Sequence, residues 1–398
     1  KRQTPNAKRR TPNVKRQTLN DYPTMTQPNH TPFFAQPKFL VGLQAKEHIP
    51  VELDGYNARR PMVIVHPQAK GLVKRFVRSL ADSNLSVGAM VDCALPYVNQ
   101  YEVERLAGLF RWRQCDSVVA IGGEFAMDIA KALATTLTDG NELKHGEIKD
   151  RTIPLVYIAT QSIGGNEVTT TMDLDGREVI SDFLYPDIVC IDSRMVGLRS
   201  GLNSTVVAAI GSLAWCVEGL ANGQCSPFAE ASGLTAISLI AENLPSLAKK
   251  PAYKKSALAV VNGVAVAGTV RSNCKGGVAC LTAELVAKET GYSFNLLAGL
   301  LLPYALRYKQ ERNQTIKDDL LLALSGIDAY STIAVDDRSK ESIRIIESLV
   351  SLAGVELNQL KIQQYLLQKI AIDVEDISES RVSMDYCLGF LQFVFGDN

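Results

Sequence analysis

Histidine is scarce in this chain: there are four in 398 residues, at His30, His48, His66 and His145, and none in the 253 residues after the last. That excludes a site built from clustered imidazoles anywhere in the later two-thirds. Net charge is also absent, with 42 basic and 42 acidic residues, so no global field draws nucleic acid or an anionic membrane. No segment reaches the roughly 20 apolar residues of a membrane span. The best candidate, LLAGLLLPYAL at 296–306, is too short and contains Pro303. CxxC pairs are lacking as well. The eight cysteines (Cys93, Cys115, Cys190, Cys216, Cys225, Cys274, Cys280 and Cys387) are scattered, several within apolar runs. They read as small buried hydrophobes of an intracellular reducing compartment, cytoplasm or organelle matrix.

What is present begins with a repeat. Residues 1–20 run KRQTPNA, KRRTPNV, KRQTLN, with seven basic residues and no acidic one. The remainder carries 35 basic against 42 acidic residues. The arm has almost nothing to bury and reads as disordered or as pinned by a partner. It suits docking on an acidic protein or nucleic-acid surface. Thr4 and Thr11 each follow basic residues and precede proline, so phosphorylation there would cancel positive charge.

From residue 33 apolar strand-like runs alternate with helical spacing. MVIVH (62–66), LSVGAMVD (85–92), SVVAIGG (117–123), PLVYIAT (154–160) and DIVCID (187–192) are the strands. Helices are expected over 68–83, 99–113 and 126–137. This alternation implies a parallel sheet with right-handed crossovers. EVTTTMDLDGREVIS (167–181) holds Asp-Gly between β-rich flanks, a hairpin signal. After residue 198 strand-like runs stop. Amphipathic segments follow at 203–222, 227–247, 254–272, 276–289, 295–311, 316–325, 338–354, 358–372 and 381–395. The expected fold class is α/β plus all-α. An arm spans 1–32, an N-terminal Rossmann-like parallel-sheet domain 33–197, and an all-helical domain 198–398.

The order of these pieces resembles the iron-dependent (group III) alcohol dehydrogenases, relatives of dehydroquinate synthase and glycerol dehydrogenase. PKFLVGLQAKEHIP looks like that family's opening strand and turn. SVVAIGGEFAMDIAKALA looks like its glycine-rich phosphate loop and helix. LVYIATQSIGGNEVTTTMDLDGREV looks like its second loop with a hairpin after it, and PDIVCIDSRMV like the strand that follows. AAIGSLAWCVEGLANGQCSPFAEASGLTAISLI and NLLAGLLLPYALRYK look like metal-bearing helices. The match runs from residue 33 to the C-terminus.

The resemblance implies one Asp and three His around a metal, and a nicotinamide cofactor. In register with Glu218, the Asp position is Gly211 and the first His position is Trp215; the others fall at Cys280 and Phe294. Glycine, Trp and Phe offer no ligand, and a lone thiol does not hold iron or zinc. Cys216, Glu218, Cys280 and Glu284 are the residues from which a replacement site would be assembled. In the first cofactor loop Gly122 and Gly123 remain, but Glu124 and Phe125 follow them. A carboxylate there opposes pyrophosphate, which such loops bind through backbone N–H groups and a helix N-terminus. Asp128 and Lys131 read as remnants of the cofactor helix or as a helix-surface pair. The second loop reads Ile163-Gly164-Gly165-Asn166, with Thr160, Gly165 and Glu167 retained. His66 stands at the end of the first central strand, where the family often carries Asp for a ribose.

Gly122, Gly123, Asp128, Lys131, Thr160 and Gly165 are therefore the remnant cofactor-binding residues, and no catalytic residue is assigned. The expectation is no metal and no cofactor, with NAD(P) the one candidate the loops leave open. The expected protein is a dehydrogenase-like pseudoenzyme with a structural or scaffolding role, as a homo-oligomer or as a subunit of a larger assembly. Two other readings stand beside it. One is an active NAD(P)-dependent oxidoreductase of alcohols or aldehydes with an altered, metal-free site. The other is a metabolite-binding regulatory module in the interdomain cleft.

Overall fold

The computed structural model describes residues 33–398 apart from 34–36, 94–97, 140–147, 149–152, 161–164, 182, 197–201, 222–224, 252, 361, 364 and 397–398. The basic arm, His145, Ile163, Gly164 and the expected junction at 197/198 lie outside the described residues. Phe33–Asn398 cluster as one compact unit.

Six strands form a parallel sheet: β1 (Lys38–Gly42), β2 (Pro61–Val65), β3 (Ala89–Asp92), β4 (Ser117–Gly122), β5 (Leu155–Ala159) and β8 (Ile188–Asp192). Their spatial order is β1-β8-β5-β4-β2-β3. Every residue of β2, β4, β5 and β8 is buried. Parallel strands covered on both faces need such continuous apolar runs. Alternate residues feed two cores. Val63, Val65, Val119, Ile121, Val156 and Ile158 pack with α1 (Ile49–Gly55) and α2 (Lys70–Asp82). Met62, Ile64, Val118, Ala120 and Tyr157 face α3 (Gln100–Trp112) and α4 (Glu124–Asp139). In α2 the core face is Val73, Phe76 and Leu80, a three-to-four-residue spacing.

The expected hairpin is β6 (Thr171–Leu174) with β7 (Arg177–Ile180), paired antiparallel. Asp175 and Gly176 turn it with φ of 54° and 71°, the left-handed pair a two-residue hairpin requires.

The rest is helical: α5 (Leu202–Ala221), α6 (Pro227–Lys249), α7 (Lys254–Asn273), α8 (Val278–Thr290), α9 (Phe294–Glu311), α10 (Asp318–Thr332), α11 (Arg338–Ser351), α12 (Tyr365–Ile377) and α13 (Met384–Phe395). Two boundaries differ from expectation. The α10 segment continues past 325 through a kink at Gly326, φ 76°. The one expected from 358 opens instead with a 3-10 turn at Leu357–Gln359, and α12 begins at Tyr365.

Two compositional readings are corrected. Asn203–Ala221 of α5 is long and apolar enough to cross a membrane, with mean hydropathy 1.5, but 78% of that window is buried within the protein. It is a core helix of the protein, longer than the 296–306 run. The cysteines are not all free thiols. Cys225, beyond α5, is disulfide-bonded to Cys274 at the end of α7, with Cα atoms 5.2 Å apart. The other six are free and buried.

Candidate functional site

The four positions that the resemblance assigns to metal ligands lie on α5, α8 and α9. They are packed as a closed cluster rather than a donor set. Gly211 of α5 lies against α9: a Cβ there would meet Asn295 Oδ1, Cα and Cβ at 2.5, 2.6 and 2.7 Å. One of these atoms is backbone, so no rotamer change makes room for a carboxylate. One turn on, the Trp215 ring lies 6.1 Å from that of Phe294, the first residue of α9. Arg271 of α7 sits with Cζ 5.7 Å from the Trp215 ring centre and 5.3 Å from the Phe294 ring.

Glu218 has a task of its own. Its buried carboxylate accepts from Ala279 N–H at 2.9 Å and Cys280 N–H at 2.8 Å, capping α8. These are two of the four donors a helix start leaves unpaired. Gly277 permits the approach, since a Cβ there would stand 2.8 Å from Glu218 Oε1. Cys280 is fully buried, and burial, then the Glu218 carboxylate, push its thiol well above the ordinary range. Burial likewise raises Cys216. Glu284, the fourth residue of the imagined replacement site, pairs with Lys288 at 2.7 Å on the exposed side of α8. Among the described residues no group of three or more His, Cys, Asp or Glu could hold a metal. Sequence reasoning missed the capping role of Glu218 and the place of Arg271. The glycine before α8 is the one local signal for the first, and nothing local signals the second.

The cofactor positions behave differently. The chain leaves β2 toward β3 on one side and leaves β4 toward β5 on the other. The crevice at the carboxyl ends of β2 and β4 is thus the topological switch point, where open α/β sheets bind ligands. His66 and Gly122 meet there: a Cβ on Gly122 would lie 2.5 Å from His66 Cβ. Tyr157 Oη donates to Gly122 O at 2.6 Å and fixes the turn. Glu124 then opens α4. The Phe125 ring stays 40% exposed and does not fill the core. Burial lowers the His66 pKa, which favours the neutral ring.

The six remnant residues divide. Gly122, Gly123 and Thr160 sit at the carboxyl ends of β4 and β5. Asp128 and Lys131 are not a helix-surface pair. Both are buried and both hold the hairpin: Lys131 Nζ donates to Thr169 O at 3.0 Å and Thr171 O at 2.7 Å, and Asp173 N–H donates to Asp128 Oδ2 at 3.4 Å. Gly165, φ 85°, lets its turn lie against Gly268 of α7, 3.6 Å from where a Cβ would be.

The comparisons with known proteins bear on the fold and on the family the chain resembles. Residues 36–193 match the family model described as iron-containing alcohol dehydrogenase. Long-chain-alcohol dehydrogenase 1 of Geobacillus thermodenitrificans is 25% identical over 332 residues, covering 79% of this chain and 82% of its own length. The NAD-dependent methanol dehydrogenase of Bacillus methanolicus is 23% identical, covering 78% of this chain and 84% of its own. The structure of 1,3-propanediol oxidoreductase superposes with a TM-score of 0.81 at 18% identity, over 91% of this chain and 99% of that one. Sulfoacetaldehyde reductase from Bifidobacterium kashiwanohense, solved with NAD+, superposes with a TM-score of 0.76 at 17% identity, over 92% and 99%.

The expectation of no cofactor and no metal is thereby corrected. The matching family is described as iron-containing, one relative as NAD-dependent, and one structure with this fold was solved with NAD+. Nicotinamide nucleotide fits this chain, because the glycine turn and the start of α4 stand at the switch point. For iron, the four positions offer a single thiol that keeps its proton, so no step is derived through a metal. Residues 36–193 thus match the iron-containing alcohol dehydrogenase family model, and the fold of the chain is that of solved proteins such as 1,3-propanediol oxidoreductase.

Proposed function

We propose that the chain is an alcohol-dehydrogenase-like protein that retains a nicotinamide-nucleotide groove, has lost the family's metal-assisted alcohol chemistry, and serves as a structural subunit of an assembly. The observation that carries this reading is the closure of α9 onto Gly211. The first ligand position is filled by a neighbouring backbone, and its successors are occupied by the Trp215–Phe294–Arg271 cluster.

A nicotinamide, when bound, supplies a hydride acceptor or donor. The backbone of Gly122 and Gly123 and the N-terminus of α4 would hold its phosphates. His66 closes the crevice wall beside them. Alkoxide formation needs a positive centre at the substrate oxygen, often the largest single catalytic effect. The residues at the four metal-ligand positions do not build one from a metal.

The test is nucleotide titration of the purified chain followed by NAD(P)-linked assays with straight-chain alcohols and aldehydes, with ferrous iron or zinc added. Nucleotide binding without turnover is expected. Turnover above the protein-free rate would overturn the loss of catalysis. Absence of any nucleotide binding would overturn the retained groove.

A further inference from the structure

Four helices of the C-terminal half leave a pocket between them. Val217 and Leu220 of α5, Leu234 and Ile237 of α6, Leu306 of α9 and Leu320 of α10 form its apolar floor. All but Leu234 are buried. The pocket holds about 470 Å³ of space, part of it open to solvent. At about 3.6 residues per turn, Val217 and Leu220 fall on the opposite side of α5 from Gly211, Trp215 and Glu218. The pocket is therefore separate from the metal-ligand positions, and no residue of the glycine turn after β4 lines it.

The charges at its mouth are not equivalent. Lys317 and Glu230 face each other, with Nζ 3.4 Å from Oε1, and both side chains are well exposed. Asp319, in the first turn of α10, is exposed, so water solvates its charge. Lys309 differs. It is half-buried on α9, and among the described residues no carboxylate pairs with it. A cation set partly into an apolar wall without a counterion is a costly arrangement. The chain turns back at this point, where Gln314 N–H donates to Lys309 O at 2.9 Å. That brings the next residue, Thr315, to the mouth beside Lys309. An ammonium and a hydroxyl thus border one apolar floor.

We propose that this pocket binds a small aliphatic carboxylate, its chain on the apolar floor and its head group at Lys309. The ammonium supplies a charge-assisted hydrogen bond, Thr315 Oγ1 a second donor, and each methylene that leaves water adds to the affinity. An ammonium head group finds no equivalent partner, since Glu230 is held by Lys317 and Asp319 is exposed. The inference goes beyond the proposed function and does not depend on it.

The test is calorimetric titration of the full chain with sodium butanoate, hexanoate and octanoate below their micellar range, and with octylammonium chloride and octan-1-ol. Saturable octanoate binding is expected, with affinity rising about fourfold per methylene along the acid series. Lys309→Met should weaken octanoate about tenfold or more and leave octanol unchanged. Leu234→Trp, which fills the pocket, should weaken both. Lys309→Gln serves if Lys309→Met does not fold. No saturable binding, or octanoate binding that Lys309→Met or Leu234→Trp leaves untouched, would overturn the proposal. So would octylammonium binding as tightly as octanoate, or an affinity that does not rise with chain length. Octanoate binding is read here without nucleotide or turnover, so its failure is distinguishable from failure of the proposed function.

Discussion

Placing a single methyl group on Gly211 probes the closed first ligand position. In Gly211→Ala the new Cβ would stand 2.5–2.7 Å from three atoms of Asn295. Because Asn295 Cα is among them, α9 itself must move. Overpacking a filled core costs about 1–3 kcal/mol, and contact with backbone places this site toward the upper end. Replacing glycine by alanine within a helix returns about 1 kcal/mol. The net expectation is destabilisation of about 1–2 kcal/mol. Gly108, exposed in α3 with nothing within 4 Å of a new Cβ, is the control. Gly108→Ala should stabilise by about 0.5–1 kcal/mol, the propensity gain alone. Thermal or urea midpoints measured in parallel should therefore move in opposite directions. If Gly211→Ala is as benign as Gly108→Ala, α9 does not close on that position and room for a carboxylate exists.

Other expectations follow from the same contacts. Glu218→Ala leaves the Ala279 and Cys280 N–H groups buried without an acceptor. It should cost about 1–3 kcal/mol and speed hydrogen exchange over 278–281. Lys131→Met removes the ammonium that donates to Thr169 O and Thr171 O. Faster exchange across β6 and β7 is expected, and unchanged protection would refute the tether. Burial holds the His66 pKa below 6.5, so the folded chain binds that proton less readily than the unfolded one. Stability from the neutral ring is complete above pH 6.5 and is lost as pH falls toward the lower folded value. The stability difference between the wild type and His66→Gln should shrink in that direction from pH 7.5. Denatured without reductant, the oxidised chain should titrate six thiols of its eight cysteines.

Much of the fold is legible in the sequence because the interior strands are unbroken apolar runs. MVIV, SVVAIG, LVYIA and IVCID each coincide with a fully buried strand. The Asp175–Gly176 turn is equally plain, since its backbone geometry limits the residues that fit. Short α1 was missed, having too few residues to show a period. At the site, the substitutions at Gly211, Trp215, Cys280 and Phe294 can be read directly, but what fills the space cannot. Asn295 and Arg271 belong to other helices, and their approach depends on how α7 and α9 cross α5. The pairing of Cys225 with Cys274 is hidden for the same reason: 49 residues separate them. The roles of Asp128 and Lys131 could not be assigned because charged helix residues seldom lie buried unless paired. Here a hairpin strand offers the carbonyls.

Hydride transfer is the chemistry in question, and an isotope reports it most directly. The chain is incubated with NAD+, ferrous iron and an alcohol deuterated at C1, and the NADH pool is examined by mass spectrometry after many hours. The expected result is no deuterated NADH beyond the protein-free control, even where nucleotide binding is saturated. Deuterated NADH in molar excess over the protein would contradict the account, because it requires an active centre at positions that α9, Trp215 and Arg271 are held to have filled.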